Sequence, residues 1–132
     1  MFTDKIPVLD VAPATKKPYG TELILDLHGC DLSVFNRTSL EKYLVDICKL
    51  IEVKRHGKPM FWFDKSGVEH LNGVSAVQFI ETSTIVIHGM DLMRTVLINV
   101  FSCKMFDESL VATFTASYFK ASDCQARIVR RY

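Results

Sequence analysis

Apolar and polar residues alternate from Thr21 to His28, where Leu23, Leu25 and Leu27 take every second place around Ile24 and Asp26. A period of two predicts a strand buried on one face. After a turn region over Asp31 to Asn36 the period lengthens. Leu40, Tyr43, Leu44, Ile47, Leu50 and Ile51 recur at helical spacing, with Lys42, Asp46, Lys49 and Glu52 outside the stripe. This predicts a helix with one apolar face, opened by the capping-box spacing Thr38-Ser-Leu-Glu41 and ending near Lys54 to Gly57. Lys58 to Asp64 then gathers Phe61, Trp62 and Phe63, and a polar, glycine-punctuated loop runs from Lys65 to Gly73. Strands are predicted over 74–80 and 84–88, separated by Glu81-Thr82-Ser83, and a β-branched apolar strand over 95–103. Asp107 opens a second helix whose stripe is Leu110, Val111, Phe114, Tyr118 and Ala121, and residues 125–131 close the chain as a strand.

The order is strand-helix-strand-strand-strand-helix-strand, and each helix is apolar on one side only. That pattern predicts an α+β two-layer sandwich, an antiparallel sheet with two helices on one face. A second copy of the chain is the economical cover for the other sheet face, so a homodimer is expected. Residues 1–19 carry Pro7, Pro13 and Pro18 and little periodicity, which makes them an N-terminal arm before a single domain over 20–132. A chain of 132 residues with 48% hydrophobic content supports one such core.

Charge and composition narrow the function. Sixteen Lys+Arg against fifteen Asp+Glu leave a net charge of +1, so neither nucleic acid nor an anionic membrane surface is an expected partner. The basic run from Arg127 to Arg131, interrupted by Ile128 and Val129, reads as a terminal strand with one solvated face. No apolar stretch reaches the roughly 20 residues a membrane-spanning helix needs, and the amino terminus shows no signal-peptide core, so a cytoplasmic protein is expected. Cys30, Cys48, Cys103 and Cys124 have no C-x-x-C spacing and do not cluster with histidine, which argues against a metal site.

Singly, Ser75, Ser83, His88 and Cys103 are ordinary residues. Together they stand at fixed offsets in Gly73-Val-Ser75-Ala-Val-Gln-Phe-Ile-Glu-Thr-Ser83-Thr-Ile-Val-Ile-His88 and Val100-Phe-Ser-Cys103: thirteen from Ser75 to His88, five from Ser83 to His88, fifteen from His88 to Cys103. This set resembles the bacterial and archaeal S-adenosylmethionine decarboxylase family, whose signature is Gly-Val-Ser, an apolar run, a cleaved serine, a histidine five residues on and a distant cysteine. The resemblance extends upstream through Gly20-Thr-Glu-Leu-Ile-Leu-Asp-Leu-His-Gly-Cys30 and downstream to Arg-Ile-Val-Arg, roughly residues 20 to 131.

The resemblance implies a pyruvoyl cofactor made from the chain itself. The Ser83 hydroxyl would attack the carbonyl of Thr82, the ester would eliminate, and the new amino terminus would become pyruvoyl, leaving chains of about 1–82 and 83–132. Such a ketone forms a Schiff base with a substrate amine and serves as the electron sink for decarboxylation. By the same resemblance His88 is the base for the elimination, Ser75 hydrogen-bonds the reacting carbonyl, and Cys103 returns a proton to the substrate carbon.

Two positions depart from the family pattern. Thr82 stands where the family usually has Glu, with Glu81 one place earlier. After the histidine the family commonly reads His-Thr-Trp-Pro-Glu, its Glu binding the ribose of the substrate, whereas this chain reads His88-Gly-Met-Asp-Leu92. In a regular strand Asp91 faces away from the position Leu92 holds, and a bulge at Gly89 would restore it. Losing two charge-assisted bonds to the ribose would cost an adenosyl substrate about 3 to 6 kcal/mol. Phe61, Trp62 and Phe63 offer either a stacking surface for adenine or part of the core. Three functions follow: decarboxylation of S-adenosylmethionine for spermidine synthesis; the same chemistry on arginine or ornithine, with Asp91 or Glu81 facing the side-chain cation; or a noncatalytic member in which Ser83 is never cleaved.

Overall fold

The order of elements is β1 (Gly20–His28), α1 (Arg37–Leu50), β2 (Arg55–Asp64), β3 (Gly73–Ile80), β4 (Ser83–Met90), β5 (Thr95–Ser102), α2 (Glu108–Tyr118) and β6 (Asp123–Arg131). The structure is a computed structural model that describes residues 17–81 and 83–132. The strands form one sheet in the order β2-β3-β4-β5-β1-β6, and every neighbouring pair is antiparallel.

Alternation along the strands sends Leu23, Leu25 and Leu27 of β1, Ile85 and Ile87 of β4, and Ile98 and Val100 of β5 into one core with Leu40, Tyr43, Leu44 and Ile47 of α1 and Val111 of α2. Each such aliphatic side chain contributes about 1.5 to 3 kcal/mol of burial. Tyr43 ties the helices together. It is fully buried, its hydroxyl lies 2.8 Å from Thr115 Oγ1, and its ring meets Phe119 at 5.0 Å and Phe114 at 6.0 Å. Both helices therefore cover the same sheet face, the two-layer α+β sandwich that the pattern predicts.

Several boundaries differ from expectation, each for a local reason. The aromatic stretch is the second half of a sixth strand, β2, which the periodicity does not reveal. As an edge strand it is exposed at most positions, so no buried face imposes alternation. Helix α1 is capped by Asn36, whose Oδ1 accepts the Ser39 amide at 2.9 Å, rather than by Thr38 with Glu41. It ends at Leu50, where Glu52 turns the chain out of helix with φ 57°. On α2, Leu110 is exposed and Thr115 takes a buried place instead. Strand β4 starts at Ser83 itself, opposite Ile80, and stays in register through Gly89, so the bulge considered there is absent. Strand β5 stops one residue before Cys103. Residues 1–16 of the expected arm lie outside the described residues, and Tyr19 already extends the sheet, its amide donating to the Arg131 carbonyl at 2.6 Å.

Candidate active site

The open face of the sheet carries three cross-strand rows relevant to the chemistry. The row beside the β3–β4 turn is His56, Phe79, Thr84 and Phe101; the next is Met60, Val77, Val86 and Asn99; the third is Trp62, Ser75, His88 and Leu97. Rows one and three are four residues apart along β3, about 13 Å.

Ser83 lies at the first row but points its side chain to the helical layer, where it is 5% exposed. Its Oγ accepts the Cys103 amide at 3.1 Å. It borders a cavity of about 530 Å³ lined by His56, Phe79, Ile80, Thr84 and Phe101. Cys103 borders a neighbouring cavity of about 600 Å³, with Tyr19, Thr21, Met105 and Arg130 among its walls. Ser83 and Cys103 are thus brought together through a backbone contact. Thr82 lies outside the described residues.

Ser75 and His88 form the third row's centre, with Ser75 Oγ and His88 Nδ1 3.1 Å apart. The glycine of Gly-Val-Ser explains how they meet. Gly73 has φ +152°, and a Cβ there would sit 1.8 Å from the Gly89 carbonyl oxygen, so only glycine lets β3 close onto β4 at this point. The pair borders a cavity of about 360 Å³ with Trp62, Asp64, His70 and Leu97.

The four motif residues therefore divide into two stations. Ser83 and His88 are five residues apart on one strand, about 17 Å, and point to opposite faces. The aromatic trio divides as well. Phe61 and Phe63 stack on each other at 6.1 Å beneath the Arg37 guanidinium, which lies 4.6 and 5.2 Å from their ring centres, while Trp62, 72% exposed, stands beside Ser75 and His88. Asp91 is engaged in a short helical turn, its Oδ1 accepting Asn72 Nδ2 at 2.8 Å. Leu92 is exposed in the same turn. Glu81 is exposed in the β3–β4 turn, its amide donating to the Lys54 carbonyl at 3.2 Å.

Three residues near the stations escape the motif. Asp64 and His70 border the His88 cavity, and His56 borders that of Ser83. Asp64 carries a carboxylate there, held below its ordinary value by hydrogen bonds from the Ser66 hydroxyl and amide. Its alternation with Trp62 is the signal that could have found it, once 55–64 is seen as a strand. Among the described residues, no three His, Cys, Asp or Glu side chains gather as a metal site requires, and no helix is long and apolar enough to cross a membrane.

An antiparallel sheet is covered on one side by two helices, with a serine at the start of β4 and a Ser–His pair farther along, which makes the chain a two-layer α+β sandwich. A family model described as S-adenosylmethionine decarboxylase matches residues 21–132. The chain belongs to that family. Among solved structures it is similar to the crystal structure of the adenosylmethionine decarboxylase from Aquifex aeolicus VF5, with a TM-score of 0.73 over 88% of this chain and 92% of that one at 14% identity. That similarity concerns the fold. No curated protein sequence matches the chain significantly. Family and fold together support an S-adenosylmethionine decarboxylase-like function.

Proposed function

We propose that the protein is a self-processing, pyruvoyl-dependent decarboxylase acting on S-adenosylmethionine, and that it works as a homodimer. The observation that carries the reading is the setting of Ser83. It opens β4 opposite Ile80 of β3, with its hydroxyl fixed by the Cys103 amide and a cavity of about 530 Å³ beside it. These residues fit a pyruvoyl group: a chain end formed at Ser83 stays laddered to β3 and β5 and faces space for a small substrate. When bound, the group supplies a ketone that takes up the substrate amine and accepts the electrons left by departing carbon dioxide.

The remaining steps belong to side chains. Phe79 and Phe101 line the Ser83 cavity with hydrocarbon, and a partner protomer laid over this face would close it to bulk water. The Cys103 thiol returns a proton to the substrate carbon. Ser75 and His88 assist the cutting of the chain, yet about 17 Å separates His88 from Ser83 of the same protomer, far beyond hydrogen-bond reach. A face-to-face homodimer resolves this. A two-fold axis along the middle row would lay the first row of each protomer over the third row of the other, so His88 of one chain would serve Ser83 of its partner. The exposed Met60, Trp62, Phe79 and Leu97 give that face the apolar character of an interface.

One observation favours a second reading, decarboxylation of arginine or ornithine. Leu92 holds the position of the family's ribose-binding carboxylate and Asp91 is engaged with Asn72. Asp64, beside Trp62 in the His88 cavity, is the carboxylate placed for either task. Intact-mass analysis should show two fragments, and Ser83→Ala should abolish cleavage; a single uncut chain would leave the noncatalytic reading standing. Carbon dioxide release measured separately with S-adenosylmethionine, arginine and ornithine then decides the substrate.

A further inference from the structure

We propose that His56 recognises the α-carboxylate of the substrate, an inference that rests on the decarboxylase reading. An amino acid held through its amine at Ser83 keeps its carboxylate on the adjoining carbon, so both occupy one cavity. Of the side chains lining it, Phe79, Ile80 and Phe101 offer only hydrocarbon. Thr84 offers a hydroxyl, and within one protomer His56 alone brings a ring N–H that can donate to a carboxylate.

The fold holds His56 in that place at some cost. Gln78 is completely buried, which is unfavourable for an amide unless its bonds are made. Its Nε2 donates to the carbonyls of Gly57 at 3.1 Å, Phe79 at 2.9 Å and His56 at 3.5 Å, and its Oε1 accepts from Arg55 Nη1 at 3.3 Å. These bonds secure the irregularity between His56 and Met60, where the β2–β3 register shifts and Gly57 adopts φ +71°. Irregularities of this kind re-aim neighbouring side chains and recur beside active sites. Gln78 is thus a positioning residue for His56.

Chemically, a few donors among largely apolar walls suit a carboxylate that must leave. His56 fixes its orientation, while the apolar surround favours neutral carbon dioxide over the anion. The bond between the α-carbon and the carboxylate carbon would break, carbon dioxide would depart, the electron pair would be taken up by the group at Ser83 and return to the α-carbon with the proton from Cys103, and His56 would neither give nor take a proton.

The test is calorimetric binding to full-length Ser83→Ala protein, using three acids and their decarboxylated amines: S-adenosylmethionine and its decarboxylated form, arginine and agmatine, ornithine and putrescine. Adding His56→Ala should weaken the acid that binds by roughly ten- to a hundredfold, the worth of one hydrogen bond to a charged group, and leave the matching amine unchanged. His56→Asn, which keeps an N–H donor, should recover part of the loss, and thermal melts of both variants guard against misfolding. Equal weakening of acid and amine, or of neither, overturns the assignment, as does binding of none of the six probes while wild-type protein is cut. A wild-type chain that is never cut overturns the decarboxylase reading instead.

Discussion

If the active site is shared, two inactive variants should repair each other. Ser83→Ala removes the cleavage site but keeps His88, and His88→Ala keeps the site but removes the base. Within one chain the two positions are five residues apart along β4, about 17 Å, against the roughly 3 Å a proton transfer requires. Each variant alone should remain a single uncut chain. Co-expressed in equal amounts with different tags, random pairing gives about half of the His88→Ala chains a partner carrying His88, so about half of them should be cut. Intact-mass analysis of the tagged chains reads this directly. Cleavage of His88→Ala protein on its own, or no cleavage in the mixed sample despite mixed dimers, would refute the shared site and the row-over-row arrangement behind it.

Gln78→Ala strips partners from the Arg55 guanidinium and the Gly57 carbonyl; a loss of about 1 to 3 kcal/mol is expected in denaturant unfolding, and no loss would mean water replaces the amide. Gly73→Ala places a methyl 1.8 Å from the Gly89 carbonyl oxygen, so unfolding should shift by several degrees or more, about 1 to 3 kcal/mol or beyond, with Ser75 and His88 driven apart; a melt identical to wild type would overturn this account of the motif glycine. Burial pushes the Cys30 and Cys48 thiols from an ordinary 9.0 up to about 11. The folded state therefore holds these protons after the unfolded state has lost them, so stability should fall as pH rises from about 9 to about 11; urea unfolding across that window checks the sign, and a flat or rising profile contradicts it.

Strands β1, β3, β4 and β5 and both helices are legible because each has one face committed to the core, and a committed face writes a period into the sequence. Strand β2 has no such face. His56, Gly57, Lys58, Met60, Trp62 and Phe63 are all exposed, so Pro59 and Gly57 read as loop residues and the alternation that separates Trp62 from Phe61 and Phe63 goes unseen. The motif spacing names Ser75, Ser83, His88 and Cys103, but whether they meet depends on register. A turn of Glu81-Thr82-Ser83 would set Ser75 one place away from His88; the observed pairing of Ile80 with Ser83 sets them face to face. The boundary of one turn residue thus decides the Ser75–His88 contact, and residue preferences alone do not resolve a boundary that finely. His56 is invisible for a related reason, since its place depends on a buried glutamine next to its ladder partner Phe79 on the neighbouring strand.

The sheet order carries a further consequence for a chain severed before Ser83. The first piece would own β1, β2 and β3 and the second β4, β5 and β6, yet in space they run β2-β3-β4-β5-β1-β6. One strand of the first piece is therefore clasped between two of the second, and the pieces share three seams: β3 with β4, β5 with β1, and β1 with β6. Scission would leave the pieces interlocked, because only the edge seam of β6 on β1 can open without unpicking the interior of the sheet. The same weave makes the event one-way. Two separated pieces would have to find each other and thread a strand into a gap, whereas the intact chain closes each seam as it folds, so in a chain that is cut folding would have to come first.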